Sequence, residues 1–255
     1  MLKHKYVAIR ILKEFENSNI IFEKYPRNIL KKYSKKNSII LRNHFNNVIK
    51  NEKKYFKNYC RNNNYLLKKK TLFQLTKRNI NSLKTIEKIK EYDPKLIIVN
   101  ATSILKENFL HNFKNKIINI HAGLLPYYKG TGCNVWTFYN QELEYTGVSI
   151  HFVNKKIDDG NIITQKQSLF IKDDNTHSIG CKNAILGAKL VIKSIKFLIK
   201  NPNYKGKIIK TKNKKIFFNK DFSKDTVLKV NNLIKDGIIR KYCKNKKKIK
   251  IITLK

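Results

Sequence analysis

Residues 117–130, IINIHAGLLPYYKG, and residues 146–160, TGVSIHFVNKKIDDG, carry the pattern from which the rest of the chain can be read. The first apolar run, 117–120, delivers Asn119 and His121 to the mouth of a loop. The second, 148–153, leads into a loop holding Asp158, Asp159 and Gly160. An amide, an imidazole and a carboxylate at the ends of two buried strands are what acyl transfer to an amine requires: donors for an oxyanion and an acceptor for a proton. Taken singly, each has an ordinary reading. Asn119 can close a strand, His121 can be a satisfied loop histidine, and Asp-Asp-Gly is a common turn.

Outward from this stretch the chain alternates helix and strand. Upstream, Tyr6, Ile9, Leu12 and Phe15 recur three apart and predict a helix over 5–15, followed by a short buried strand at 20–22. The charged segment 24–70 has weak helical periodicity around Phe45, Val48 and Ile49, with a helix through Glu52, Tyr55 and Phe56. Ile80, Leu83, Ile86 and Ile89 mark a helix ended by Asp93-Pro94, and 96–99 is a four-residue apolar run typical of a parallel strand. Downstream, 176–200 is the best helix in the chain, with capping residues at 173–176 and a stop at Asn201-Pro202-Asn203. A strand-like piece at 216–218, a small helix near 227–234 and a basic, partly mobile tail complete the chain. The alternation predicts an α/β fold with a doubly wound, mostly parallel sheet. The expected division is a catalytic domain over 1–200 and a short basic C-terminal extension over 201–255. In such sheets ligands sit beyond the C-terminal ends of the strands, so 100–103, 119–123 and 154–160 should converge on one cleft.

Composition bounds the function less than its largest number implies. The formal charge of +39, from 56 Lys and Arg against 17 Asp and Glu, favours anionic ligands and admits a nucleic-acid partner. The excess is mostly Lys, accompanies many Asn and Ile, and is spread along the chain without a stripe. That is the signature of AT-rich coding more than of a dedicated nucleic-acid surface. No run approaches the ~18 apolar residues of a membrane span, which makes a cytoplasmic protein without a membrane partner the default. The four cysteines, Cys60, Cys133, Cys181 and Cys243, lie far apart without CxxC spacing, so neither zinc nor a disulfide framework is expected. His4, His44, His111 and His177 have no visible partner, and no metal site is expected.

Together, NIH followed by LLP, a basic residue and Gly, then TGVSIHFV and IDDG, resemble the catalytic domain of the folate-dependent formyltransferases, whose members include glycinamide ribonucleotide, methionyl-tRNA and sugar-nucleotide formyltransferases and a formyl-folate hydrolase. The likeness is strong over 96–165, weaker over 6–91, and fades after Lys200. It implies a Rossmann-like formyltransferase fold, a transferase of one-carbon metabolism and biosynthesis, and 10-formyltetrahydrofolate as co-substrate without a metal. It makes Asn119, His121 and Asp158 the catalytic group, Asp158 rather than Asp159 because the family's acid stands two positions before the glycine. Asn119 and protonated His121 would stabilise the developing oxyanion, and Asp158 would keep His121 charged and help to move a proton from the amine. Thr102, Ser103, Ile104 and Leu105, with Asn154 and Ile157, align with the family's pterin-side loops.

Gly123, Pro126 and Gly130 are read as shaping the loop after His121. Lys129 is a possible contact for an anionic acceptor, Trp136 and Phe138 are possible pocket walls, and His151, inside a strand, is read as structural. The family normally opens with a strand that becomes central in the sheet. In the ribonucleotide enzymes a glycine- and serine-rich phosphate loop follows it. This sequence shows neither, so the first strand is expected to be missing. The expected activity is formyl transfer to the amine of a small anionic acceptor, either an amino-sugar nucleotide or glycinamide ribonucleotide. Formyl-folate hydrolysis and methionyl-tRNA formylation are alternatives within the family, though 203–255 is too short for the extra C-terminal barrel of the tRNA enzymes. A non-enzymatic polyanion or RNA binder is the alternative outside it.

Overall fold

Apolar residues three and four apart make the first element a helix, α1 (Leu2–Glu14), with Tyr6, Val7, Ile9 and Leu12 buried. The computed structural model describes residues 1–24, 38–76 and 79–254. After α1 come β1 (Ile20–Lys24), α2 (Ile39–Asn62), α3 (Asn64–Lys70), β2 (Thr71–Thr76), α4 (Leu83–Lys90) and β3 (Ile97–Val99). Then follow α5 (Glu107–Asn112), β4 (Ile117–His121), β5 (Tyr128–Gly130), α6 (Cys133–Tyr139), β6 (Gly147–Phe152) and β7 (Ile162–Gln167). The long helix α7 (Thr176–Lys200), β8 (Lys215–Phe217), α8 (Lys224–Lys235) and α9 (Ile238–Lys244) complete the order. The α/β alternation is as expected. Of the charged 24–70 segment, residues 25–37 lie outside the described residues.

The described strands form three sheets, β1-β2, β3-β4-β6-β7 and β5-β8. The β1/β2, β3/β4 and β5/β8 pairs are parallel, whereas β4/β6 and β6/β7 are antiparallel. The second half of the main sheet therefore departs from the parallel order that alternation implies. Strands β6 and β7 follow one another with no helix between them, and an antiparallel pair needs no crossover. Among the described residues no strand precedes α1 and none joins β1 to β3, in keeping with the expected gap. Side chains span it instead. Ile21, Phe73 and Leu75 pack into the cluster of Val99, Phe109 and Ile117. The Glu23 carboxylate accepts the Ser103 N–H at 2.7 Å and the Ser103 hydroxyl.

Helix α7 sets the positions of β4 and β6. A capping box of Asn175 and Ser178 starts it, satisfying amides that would otherwise be orphaned. Its Val191, Ile195 and Leu198 pack on Ile118, Val148, Ile150 and Ile163. Toward α1 and α2, its Cys181 and Ala188 join Ile9 and Phe56. Each fully buried aliphatic side chain here contributes roughly 1.5–3 kcal/mol, so α7 clamps the strands that carry the site.

The tail is not loose, contrary to expectation. Ile252 and Leu254 are buried, the Ile252 carbonyl accepts the Gln165 N–H at 2.6 Å, and the Leu254 N–H donates to Thr164 Oγ1 at 3.4 Å. An alternation of Lys with Ile gives the tail one apolar face, and that face covers the outer edge of β7.

Candidate active site

Strand periodicity builds the site. Along β4, Ile118 and Ile120 face α7 while Asn119 and His121 point to the opposite side. In the antiparallel ladder Asn119 lies opposite His151 and His121 opposite Ser149. His151 therefore shares a face with Asn119, and one polar face of β4–β6 forms the floor of a cleft of about 910 Å³.

Asp158 reaches this floor from the loop after β6. Its backbone is left-handed, at φ 47°, a conformation Asp tolerates better than most residues. The carboxylate is mostly buried and multiply held. Oδ2 accepts the Gly130 N–H at 2.8 Å and lies 3.4 Å from His121 Nδ1; Oδ1 accepts Asn119 Nδ2–H at 3.3 Å and lies 3.6 Å from His151 Nε2. Gly160 permits this turn, because a Cβ there would sit 1.7 Å from the Phe152 carbonyl oxygen. Gly130 is constrained in the same way, with φ 81° and Phe217 O 2.0 Å from where a Cβ would be.

These contacts set the charges. Burial by itself lowers the His121 pKa, but the Asp158 carboxylate outweighs it and holds the imidazole up at about 9. Burial by itself raises Asp158. The His121 charge, then a hydrogen bond from His151 and the Gly130 N–H, outweigh it and hold the acid well below the usual carboxylate range. At neutral pH the floor therefore carries an imidazolium–carboxylate pair. His121 Nε2–H donates to the Tyr128 carbonyl at 2.9 Å, which fixes the ring from its other side.

Asn119, His121 and Asp158 thus come together, while Asp159 turns away to pair with Lys129. That ion pair corrects the expectation that Lys129 meets an acceptor: the ammonium is already engaged, and it lowers Asp159 first through their hydrogen bond. Trp136 lines the cleft, stacked on Phe217 at 4.4 Å. Phe138 does not line it; it is fully buried with Leu143 and Ile179. Thr102, Ser103, Ile104, Leu105, Asn154 and Ile157 all line the cleft. Ile104 and Ile157 are exposed there, and Asn81 pins the 102–105 loop by donating to Ile104 O at 3.0 Å.

Two contributions were not read from sequence. His151, taken as structural, is 2% exposed, donates through Nδ1 to Phe152 O at 2.7 Å and brings Nε2 to 3.1 Å from Asn119 Nδ2. Only the antiparallel register reveals this neighbourhood. Glu52, His44 and His177 also line the cleft, on helices whose sequence gave no sign of converging. Among the described residues no group of three or more His, Cys, Asp or Glu could hold a metal ion, and no helix is long and apolar enough to cross a membrane. All four cysteines are free.

The family profile described as Formyl transferase matches residues 26–195, two thirds of the chain and the whole polar floor. The chain belongs to the formyl transferase family. A methionyl-tRNA formyltransferase of Thermodesulfovibrio yellowstonii is 35% identical over 111 residues, 43% of this chain and 36% of that protein. The match thus spans little more than a third of that relative's length. The formyltransferase PseJ from Anoxybacillus kamchatkensis, solved with UDP-4,6-dideoxy-4-formamido-L-AltNAc and tetrahydrofolate, has a TM-score of 0.51 at 22% identity, covering 66% of this chain and 90% of that one. Phosphoribosylglycinamide formyltransferase from Bacillus halodurans has a TM-score of 0.54 at 15% identity, covering 80% and 94%. At these identities the two structures establish the fold, and the expected Rossmann-like formyltransferase architecture holds.

Proposed function

We propose that the protein transfers a formyl group from 10-formyltetrahydrofolate to the primary amine of a small acceptor, an amino-sugar nucleotide or glycinamide ribonucleotide. The observation that carries this reading is the convergence of Asn119, His121 and Asp158 on one cleft floor, with Asp158 bound to both partners. The 102–105 and 154–157 loops fit the folate. Exposed Ile104 and Ile157 offer apolar surface for a flat heterocycle, and the intervening backbone offers hydrogen-bonding groups for its polar edge. When bound, the folate supplies an activated formyl carbon and a leaving nitrogen that accepts a proton.

The chain's own residues do the remaining work. Asn119 Nδ2–H and the charged His121 place positive potential where the formyl oxygen becomes an oxyanion, and their fixed positions avoid reorganisation during the reaction. Asp158 keeps His121 protonated. With its pKa so depressed it is a weak base at rest, so its first role is electrostatic, and it assists proton movement only as the amine becomes cationic. His151 orients the Asn119 amide from the neighbouring strand. As the bond from the formyl carbon to the acceptor nitrogen forms and that to the folate nitrogen breaks, the amine proton passes to the folate nitrogen.

The test is tetrahydrofolate release by purified protein against a panel of amines, in the parent and in Asn119→Ala, His121→Ala and Asp158→Ala. Each variant is expected to lose about 100- to 1,000-fold in turnover, the usual cost of a lost oxyanion-site donor. Near-parental turnover in all three refutes the assignment. The panel includes charged initiator tRNA, since the sequence relatives include methionyl-tRNA enzymes and the charge of +39 suits that acceptor.

A further inference from the structure

Beyond the polar floor the cleft extends into a second lobe walled by the first turn of α1, by α2 and by the start of α7. Helix α1 begins with no acidic residue in its first turn and no side-chain cap of its own. Its free amides are met from α2 instead: Glu52 Oε2 accepts the Leu2 N–H at 2.7 Å and the Lys3 N–H at 3.4 Å. A helix N-terminus attracts an anion, and here the chain's own carboxylate takes that place. Glu52 is only 5% exposed, yet its other oxygen, Oε1, has no hydrogen-bond partner and lies 3.6 Å from Lys3 Nζ. A buried carboxylate oxygen without a donor is costly unless a ligand supplies one.

The rest of the lobe is aromatic and neutral. His44 Nδ1 and His177 Nε2 lie 3.2 Å apart, and the Phe45 and Phe222 rings each lie 5.3 Å from His44. Burial, then His177, lowers His44 to about 4, and burial lowers His177. His4 falls to about 3, through burial and then the Lys3 and N-terminal charges. Of the lysines lining the cleft, Lys3 pairs with Glu52 and Lys155 with Glu107, while Lys53 and Lys156 are exposed at its rim. A chain of net charge +39 thus lines this lobe with a carboxylate and uncharged rings.

Resting on the formyltransferase reading, we propose that this lobe holds the acceptor through an uncharged, hydroxyl-bearing sugar ring. Glu52 Oε1 accepts one of its hydroxyl or amine hydrogens, and Glu52 excludes a phosphate from the first turn of α1. The ring's apolar face lies on the His44–His177–Phe222 shelf, the way aromatic walls take sugars. Any phosphate of the acceptor is then carried elsewhere, which favours an amino-sugar nucleotide over a ribonucleotide monoester anchored at α1.

Glu52→Gln tests this, since it preserves shape and an oxygen for the Leu2 N–H while removing the charge. Inorganic phosphate is titrated calorimetrically into both proteins, and kcat and KM are measured for an amino-sugar nucleotide and for glycinamide ribonucleotide. In Glu52→Gln, phosphate is expected to bind about 10-fold more tightly or better, and the amino-sugar nucleotide KM to rise about 10-fold with kcat little changed. The proposal falls if the parent prefers the ribonucleotide, or if Glu52→Gln alters neither phosphate affinity nor KM. Should Glu52→Gln fail to fold, His44→Ala is the second variant; an unchanged amino-sugar KM there overturns the proposal. If the parent transfers formyl to no amine, the formyltransferase reading fails, while the phosphate titration still decides whether Glu52 excludes anions.

Discussion

Replacing Asp158 by Asn should uncouple the charge of His121 from the fold in a way that pH makes visible. In the parent, His121 is held at about 9 against an ordinary value of 6.5 because the carboxylate, 3.4 Å away, outweighs burial. At about 1.4 kcal/mol per pH unit, that rise is worth about 3 kcal/mol of coupling between protonation and folding. A pKa raised on folding gives stability that is fully present below pH 6.5 and is lost as pH rises through about 9. In Asp158→Asn burial acts unopposed, so His121 falls below 6.5 and that loss disappears. The assay is urea unfolding of both proteins at steps from pH 6 to 10, taking the difference between them so that the titrating lysines cancel. The parent should lose about 3 kcal/mol more than the variant over this range. Parallel stability curves, or a His121 imidazole that titrates near 6.5 in the parent by NMR, would refute the reasoning. Because the variant's ring is neutral at pH 7.5, its turnover should also fall about 100-fold or more.

Other consequences follow from the packing. Gly160→Ala places a Cβ within 1.7 Å of Phe152 O, so the Asp158 loop must move; thermal unfolding should show a loss of about 2 kcal/mol, accompanied by loss of activity. Ile252→Ala and Leu254→Ala should each cost about 2–5 kcal/mol by denaturant titration, because both side chains are buried where the tail covers β7. Values near zero would mean that the tail does not dock. Lys129→Met should leave acceptor KM nearly unchanged, since its ammonium is bound to Asp159 rather than offered to the cleft.

Much of the site was legible because its parts are local in sequence. Asn119 and His121 alternate with Ile118 and Ile120 on one strand, so period-two reading alone puts them on the face opposite the apolar core. The loop glycines reveal where backbone approaches backbone, and the nine-residue apolar face of α7 reveals the element that clamps the strands. What stayed hidden depends on pairing between distant segments. His151 joins the site only because β6 runs antiparallel to β4 with His151 opposite Asn119, a register no single strand discloses. Glu52 looks like any solvated helix residue until α1 and α2 pack and leave it 5% exposed. The tail looked mobile because its charge dominates its composition, although alternate apolar residues were enough to dock it. Lys129 misled for the opposite reason: its partner, Asp159, was read only as the neighbour of Asp158.

The most direct test of the central claim is to follow the formyl carbon itself. Purified protein is incubated with 10-formyltetrahydrofolate carrying a carbon-13 formyl group and, separately, each amine of the panel and water alone. Products are read by mass spectrometry and NMR. The account predicts a labelled N-formyl acceptor formed in step with tetrahydrofolate release, only when a suitable amine is present, and lost in Asp158→Asn. Label appearing as formate at the same rate with or without any amine, or no turnover and no folate binding at all, would contradict it.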